Sequence, residues 1–87
     1  MPTRSLQWTN EAWLDYLYWQ TQDKRTLKKI NELVLSTCRT PFDGLGKPEA
    51  LKGNLTGLWS RRIDQKNRLV YRVDDDVVTV LSCREHY

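Results

Sequence analysis

The Thr40-Pro41 step divides this sequence into two halves with different hydrophobic periodicity. A residue that precedes proline avoids the helical region, so a helix is expected to end there. Before the step, apolar residues recur at three- and four-residue spacing in two segments, which predicts a hairpin of two amphipathic helices. Thr9 and Asp23 are their expected N-caps, because their side-chain oxygens can accept hydrogen bonds from first-turn amides. The second helix has an apolar stripe formed by Leu27, Ile30, Leu33 and Val34.

The second half of the sequence predicts three strands joined by tight turns. Their expected ranges are 57–64, 68–73 and 77–83. A short alternating segment at 5–8 predicts a further strand ahead of the first helix. The fold class is therefore α+β: a short N-terminal strand, a helical hairpin, and then an antiparallel β-meander with one face covered.

Alternation along the middle strand assigns its side chains to two faces. One face carries Leu69, Tyr71 and Val73, and the other carries Arg68, Val70 and Arg72. The apolar face is expected to pack on the helices, because that arrangement leaves the arginines in water. The sheet therefore has an open basic face, which is where we expect a ligand to bind.

Length and composition limit the classes of function. The 87 residues predict one domain, 1–87, with a small core and little room for an embedded cofactor, so no cofactor is expected. No apolar run approaches the roughly 20 residues that cross a membrane, and no apolar segment follows Arg4 to form a secretion signal. Cys38 and Cys83 lie far apart and the chain has a single histidine. We therefore expect free thiols in a reducing cytoplasm and no metal site.

Positive charge is concentrated in the segment 47–72. Seven basic residues are opposed there only by Glu49 and Asp64, which leaves a local excess of about +5. Such an excess attracts polyanions through phosphate contacts and counterion release, although a solvated basic surface has the same composition. The loop expected at 41–54 overlaps this segment, and a loop of that length in a small domain is usually either functional or disordered. Apolar anchors within it favour an ordered, functional loop.

Residue types suited to phosphodiester chemistry lie in or near this basic region. Glu49 is a candidate general base, and His86 is a candidate general acid because imidazole exchanges protons near neutral pH. Arg68 and Arg62, on adjacent strands, can bind a phosphate and stabilise the charge that builds on it. Each of these residues also has a plain structural interpretation. Glu49 can simply balance the surrounding positive charge, and His86 can be a terminal residue without a role. The two arginines can be ordinary surface charges on their strands.

A base, an acid and an arginine clamp are the parts needed to cleave RNA without a metal. The base takes the proton from a ribose 2′-hydroxyl, whose oxygen attacks the adjacent phosphorus, and the acid protonates the departing 5′-oxygen. Such a site acts on RNA and not on DNA, because DNA lacks the 2′-hydroxyl.

The tryptophans are expected to pack and not to recognise a ligand. Trp8, Trp13 and Trp19 occupy strand and helix positions suited to the core. Trp59, which alternates with Arg61 along its strand, is also assigned to packing, with base stacking as the alternative. The basic patch on the second helix is interpreted as a solvated face, with contact to ribosomal RNA as the alternative.

Four stretches of the sequence resemble the YoeB/Txe toxins, a branch of the RelE-like toxin superfamily, and the resemblance extends over nearly the whole chain. They are Gly46-Lys47-Pro48-Glu49, Trp59-Ser60-Arg61-Arg62-Ile63, Arg68-Leu69-Val70-Tyr71 and Cys83-Arg84-Glu85-His86-Tyr87. Their joint occurrence is highly specific. Glu85 departs from the pattern, since a tyrosine is common before the histidine. A carboxylate beside the histidine alters the proton affinity of the imidazole. The departure therefore bears on the rate and pH optimum of the reaction and not on the class of protein.

The resemblance implies a RelE-like microbial ribonuclease fold and the activity of a ribosome-dependent mRNA interferase. Such a toxin of a type II toxin–antitoxin system cleaves mRNA in the ribosomal A site and inhibits translation. By position, Glu49 corresponds to the general base, His86 to the general acid and Arg68 to the phosphate-stabilising arginine. Tyr87 corresponds to a terminal tyrosine that helps to set the geometry of the nucleotide.

The resemblance also implies residues that bind RNA. Lys52 and Arg62 correspond to basic residues that contact the RNA near the scissile bond. Arg61 and Lys47, from the same basic segment, are expected to bind RNA with them.

The implied partners are mRNA on the 70S ribosome, with contacts to 16S and 23S rRNA, and a YefM/Phd-type antitoxin, and the family also suggests a homodimer. An exposed cationic groove suits an acidic antitoxin segment that folds on binding. Two other functions remain as alternatives. In one, the chain binds the ribosome or RNA and blocks the A site without cutting. In the other, it cleaves RNA without the ribosome.

Overall fold

The computed structural model describes residues 3–85, which form two helices packed on one face of a five-stranded sheet. In chain order the elements are β1 (Ser5–Trp8), α1 (Asn10–Gln22), α2 (Lys24–Arg39), β2 (Glu49–Ala50), a short 3-10 turn (Gly53–Leu55), β3 (Leu58–Arg62), β4 (Arg68–Val73) and β5 (Val77–Ser82). The predicted α+β fold is confirmed. No helix within these residues is long and apolar enough to span a membrane.

Both helices begin where the sequence predicts, and the second also ends where it predicts. The Thr9 hydroxyl accepts a hydrogen bond from the Ala12 amide at 3.1 Å and caps α1. The Asp23 carboxylate accepts from the amides of Arg25 and Thr26 and caps α2. Hydrogen bonds from the Thr26 side chain and backbone lower the pKa of Asp23. The second helix ends at Arg39, directly before the Thr40-Pro41 step.

The strands lie in the order β1-β5-β4-β3-β2, and β1 pairs with β5 in parallel while the other pairs are antiparallel. Two features differ from the prediction. The segment expected to be a continuous loop contains the two-residue strand β2, which is too short to show alternation. In addition, β3 ends at Arg62, because a turn over 63–67 takes the residues that were assigned to its end.

The predicted division of β4 into two faces is confirmed. Leu69 and Tyr71 are buried in the core that the sheet shares with the helices. Helix residues Ala12, Ile30 and Leu33 complete this core from the other side. The helices therefore cover one face of the sheet only.

The predicted packing role is correct for Trp8 and Trp19 but wrong for Trp13. Trp19 is buried and Trp8 packs against the core, whereas Trp13 is 44% exposed. Helix α1 turns Ala12 and Trp19 towards the sheet, so Trp13 lies at the side of the helix. There its ring stacks on Tyr16, with ring centroids 5.5 Å apart, and meets the edge of Trp8.

Both cysteines are free, as predicted, and both are buried. Burial, and then the nearby Asp15 carboxylate, raise the pKa of the Cys83 thiol to about 12. Burial also raises the pKa of Cys38. Because the thiolate is the reactive form of cysteine, these two side chains are inert packing groups in the folded protein.

Candidate active site

One row of paired residues crosses the open face of the sheet and places Glu49 near the basic strands. Glu49 in β2 pairs with Ser60 in β3, and Ser60 pairs with Val70 in β4. Paired residues in a sheet point to the same face. Glu49 therefore projects from the face that the helices leave uncovered, even though it comes from an edge strand of two residues.

Arg68 lies in the neighbouring row of the same face, where it pairs with Arg62, and its side chain reaches back to Glu49. Its guanidinium nitrogen lies 3.6 Å from Oε1 of Glu49 and donates a hydrogen bond to Oγ of Ser60 at 3.4 Å. The Arg68 side chain is 25% exposed and that of Glu49 is 63% exposed. The base and phosphate-binding candidates are thus adjacent, and both can still reach a ligand.

Arg62 lies directly across the hairpin from Arg68, at a paired position of β3 and β4. Like charges that face each other across two strands destabilise a sheet. Only Glu49 forms an ion pair with either arginine within the part of the chain that the structure describes. The two arginines thus form a concentrated positive site that can bind the oxygens of a phosphate.

The two lysines predicted to bind RNA stand on either side of β2. Lys47 and Lys52 are both exposed, and neither forms an ion pair within residues 3–85. Lys47 adopts a left-handed backbone conformation with φ of 53°. The positive charge therefore extends along the same edge of the sheet as Glu49.

The loop that leads into β2 is fastened to the body of the protein at Gly46. Its carbonyl accepts a hydrogen bond from the Arg62 amide at 2.7 Å. A Cβ at this position would lie 2.7 Å from Cδ2 of Leu33, and the φ of +80° favours glycine. These contacts fix the position of the backbone at Gly46, directly before Lys47 and Glu49.

Arg61 does not belong to the open face, which corrects the expectation that it binds RNA. The residue is 0% exposed, and its guanidinium points under the loop. It donates to the carbonyl oxygens of Thr40, Asp43 and Leu45, to Oγ of Ser36 and to the hydroxyl of Tyr71. Every strong donor direction is therefore used inside the protein, and no phosphate can reach the group.

The alternation of β3 contains the signal that reveals this burial. Arg61 has Trp59 and Ile63 as its neighbours at two-residue spacing, and both are apolar. Arg62 alternates with Ser60 and shares the open face.

The hydroxyl of Tyr71, which accepts a hydrogen bond from Arg61, is buried with it. Burial raises the pKa of Tyr71, against the opposing effect of this hydrogen bond.

His86 and Tyr87 lie outside the described residues, so their predicted roles stay predictions. The chain is described up to Glu85, whose carbonyl accepts a hydrogen bond from the Arg68 amide at 2.9 Å. Sequence reasoning missed the residues that hold this end of the chain, above all Asn67. It also missed Ser60, which is buried beside Arg68. Among residues 3–85, no cluster of His, Cys, Asp or Glu is arranged to hold a metal ion.

Comparison with known proteins agrees with this architecture. Residues 8–87 match the family described as the YoeB-like toxin of bacterial type II toxin-antitoxin systems. The toxin YoeB of Escherichia coli K12 is 61% identical over 82 residues, which are 94% of this chain and 98% of that protein.

Two solved structures from Staphylococcus aureus have the same fold. The YoeB dimer is 47% identical with a TM-score of 0.90, and the match covers 99% of this chain and 100% of that one. The heterotetrameric YoeB-YefM toxin-antitoxin complex is also 47% identical, with a TM-score of 0.88 and the same coverage. The chain therefore belongs to the YoeB-like toxins of bacterial type II toxin-antitoxin systems.

Proposed function

We propose that this toxin is a ribosome-dependent mRNA endoribonuclease that acts in the cytoplasm and inhibits translation by cleaving mRNA in the ribosomal A site. The observation that carries the proposal is the contact of Glu49 with Arg68 on an open, basic sheet face. This contact places a carboxylate that can accept a proton 3.6 Å from an arginine that can bind a phosphate.

The reaction uses each group of the site once. The Glu49 carboxylate takes the proton of the ribose 2′-hydroxyl, and the 2′-oxygen forms a bond to the adjacent phosphorus. Arg68 and Arg62 stabilise the additional negative charge on the five-coordinate phosphorus, while Lys52 contacts the RNA near the scissile bond and Lys47 also binds the RNA. The bond from phosphorus to the 5′-oxygen breaks, and His86 gives its proton to that oxygen. The products are a 2′,3′-cyclic phosphate and a 5′-hydroxyl.

Tyr87 is proposed to help set the geometry of the nucleotide, as the resemblance implies. Phe42 and Trp59, whose ring centroids lie 4.8 Å apart, pack against each other. Trp59 points to the same side of β3 as the buried Arg61 and not to the open face. Its position therefore favours packing over base stacking.

Mapping of cleaved ends on programmed ribosomes tests the reaction. Ribosomes with a defined A-site codon are mixed with the wild-type protein or with His86→Ala, and the RNA ends are identified chemically. We expect a 5′-hydroxyl and a 2′,3′-cyclic phosphate from the wild type. In the variant, the cleavage rate should be lower by a factor of about 10² to 10⁴. Intact RNA on stalled ribosomes would show that the protein blocks the A site without cutting. Equal cleavage of naked RNA would show that the ribosome is not required.

A YefM/Phd-type antitoxin and a second copy of this chain are the proposed protein partners. The S. aureus relatives are a YoeB dimer and a YoeB-YefM complex. An acidic antitoxin segment that covers the basic face should perturb the amide resonances of Glu49, Arg68 and His86 in labelled toxin, while light scattering should give the free toxin twice the mass of one chain. Unperturbed resonances at all three positions would place the antitoxin elsewhere, and a single-chain mass would contradict the dimer.

A further inference from the structure

The residues that precede His86 are held from two sides. Helix α1 supplies the first side: Nε1 of Trp19 donates to the carbonyl of Cys83 at 2.8 Å, and the Cys83 amide donates to Oδ2 of Asp15 at 3.0 Å. The guanidinium of Arg84 lies 3.6 Å from the ring centroid of Tyr18. These contacts extend the anchorage of the chain beyond the end of β5.

The turn between β3 and β4 supplies the second side. The Glu85 amide donates to Oδ1 of Asn67 at 2.6 Å, and the Glu85 carbonyl accepts from the Arg68 amide at 2.9 Å. Between these two bonds Glu85 adopts a left-handed conformation with φ of 60°. A residue other than glycine adopts this conformation at a cost, so the surrounding contacts must hold it there.

Asp64 determines which way the Asn67 amide faces. The side-chain nitrogen of Asn67 lies 3.1 Å from both carboxylate oxygens of Asp64. An ionised carboxylate can only accept hydrogen bonds, so it must face the NH₂ group and leave the amide oxygen for Glu85. Burial raises the pKa of Asp64, but hydrogen bonds from Asn67 and the Lys66 amide outweigh that effect and lower it. Asp64 is therefore ionised at neutral pH and keeps Asn67 in this orientation.

Asn67 is itself buried, with 7% of its surface exposed. Its side chain is thus shielded from the water that would compete for its hydrogen bonds. The next residue in the chain is Arg68, whose side chain contacts Glu49. The last peptide before His86 is consequently tied to the same short segment that carries the phosphate-binding arginine.

We propose that Asn67 is a positioning residue for RNA cleavage, because it holds Glu85 in the conformation from which the chain continues into His86. The inference rests on the proposed function, in which His86 protonates the leaving 5′-oxygen. Asn67 itself does not touch the RNA. Its role is to place the general acid relative to Arg68, so its loss should affect departure of the leaving group and leave the other steps intact.

A change of leaving group tests this role directly. Synthetic mRNA is prepared with either oxygen or sulfur as the bridging 5′-atom of the scissile bond and bound to programmed ribosomes. A thiolate departs without a proton, so a defect in the general acid disappears with the sulfur substrate. The variants are Asn67→Ala, His86→Ala and Glu49→Gln, with Asn31→Ala as the matched control. Asn31 is an exposed asparagine that, like Asn67, makes a side-chain hydrogen bond, which it accepts from Tyr16.

We expect Asn67→Ala to lower kcat on the oxygen substrate by about 10- to 100-fold, with KM unchanged, and by less than about threefold on the sulfur substrate. His86→Ala should show the same recovery, Glu49→Gln should be slow on both substrates, and Asn31→Ala should match the wild type. The oxygen-to-sulfur rate ratio is independent of how much of a variant is folded, so partial unfolding cannot imitate the result.

The outcomes separate this inference from the proposed function. If His86→Ala recovers with sulfur and Asn67→Ala does not, the positioning role is wrong while the acid assignment holds. Cleavage of the oxygen substrate by Asn67→Ala at the wild-type rate would likewise contradict the positioning role alone. If His86→Ala itself shows no recovery, the general-acid assignment fails, and the role given to Asn67 fails with it.

Discussion

Substitution of Glu49 by glutamine is expected to slow mRNA cleavage on the ribosome by about 10² to 10⁴, the range contributed by a general base. Glutamine has the same shape but cannot take the proton of the 2′-hydroxyl. Stability should scarcely change, because Glu49 is the exposed member of its pair with Arg68 and surface ion pairs contribute only about 0–1 kcal/mol. Ribosome binding should not weaken either, because the change removes a negative charge from a surface that binds an anion.

Single-turnover cleavage, ribosome co-sedimentation and thermal unfolding measure these three quantities. Asp75→Asn is the matched control, because it removes one exposed carboxylate from the turn between β4 and β5, at the other end of β4 from Arg68. It should cleave at the wild-type rate. If Glu49→Gln keeps most of its activity, Glu49 only balances the charge of Arg68 and the proton acceptor must be another group.

Substitution of Arg61 by methionine is expected to destabilise the fold by about 3–5 kcal/mol, because a buried acceptor that loses its donor costs about 1–3 kcal/mol and several are affected at once. The change leaves the carbonyls of Thr40, Asp43 and Leu45 without their donor. For a domain of this size the loss should lower Tm by roughly 15 °C or more. These bonds also hold the loop that leads into β2 and Glu49, so RNA cleavage should decline as well.

Arg62→Met provides the matched control, since the two arginines are adjacent in sequence and differ in burial. Surface substitutions usually change stability by less than about 0.5 kcal/mol, so Arg62→Met should unfold within roughly 3 °C of the wild type. It should nevertheless cleave ribosome-bound mRNA more slowly, because it removes a positive charge that we propose to bind the phosphate. Similar drops in Tm for the two variants would contradict the assignment of Arg61 to the interior.

The features that the sequence predicted well depend on local rules. The caps at Thr9 and Asp23, the end of α2 before Pro41 and the two faces of β4 each depend on a few neighbouring residues. The two-residue strand β2 and the parallel pairing of β1 with β5 depend on contacts between distant segments. Periodicity within a segment carries no information about such partners.

The candidate site shows the same division. Its basic face follows from the alternation of β4, and the closeness of Glu49 to Arg68 agrees with the expectation drawn from the loop and strands. Arg61 departs from the expectation because its charge favours the surface, whereas its apolar neighbours at two-residue spacing place it on the core face. Asn67 was missed because an asparagine in a turn has a sufficient local explanation, and its bond to Glu85 spans 18 residues.

The parallel pairing of β1 with β5 joins the first strand of the chain to the last. Ser5 pairs with Val77, so this contact closes a loop that includes most of the chain, and topologies rich in such distant contacts fold slowly. Helix α1 also depends on β5, since the Thr9 hydroxyl donates to the carbonyl of Leu81 and Ala12 contacts Cys83. The apolar side of the helical hairpin packs on Val78 and Val80 of β5 as well as on β4, so it is covered in full only when β5 is in place. A nascent or truncated chain that lacks β5 has no partner strand for β1 and leaves the core open, so we expect it not to be toxic.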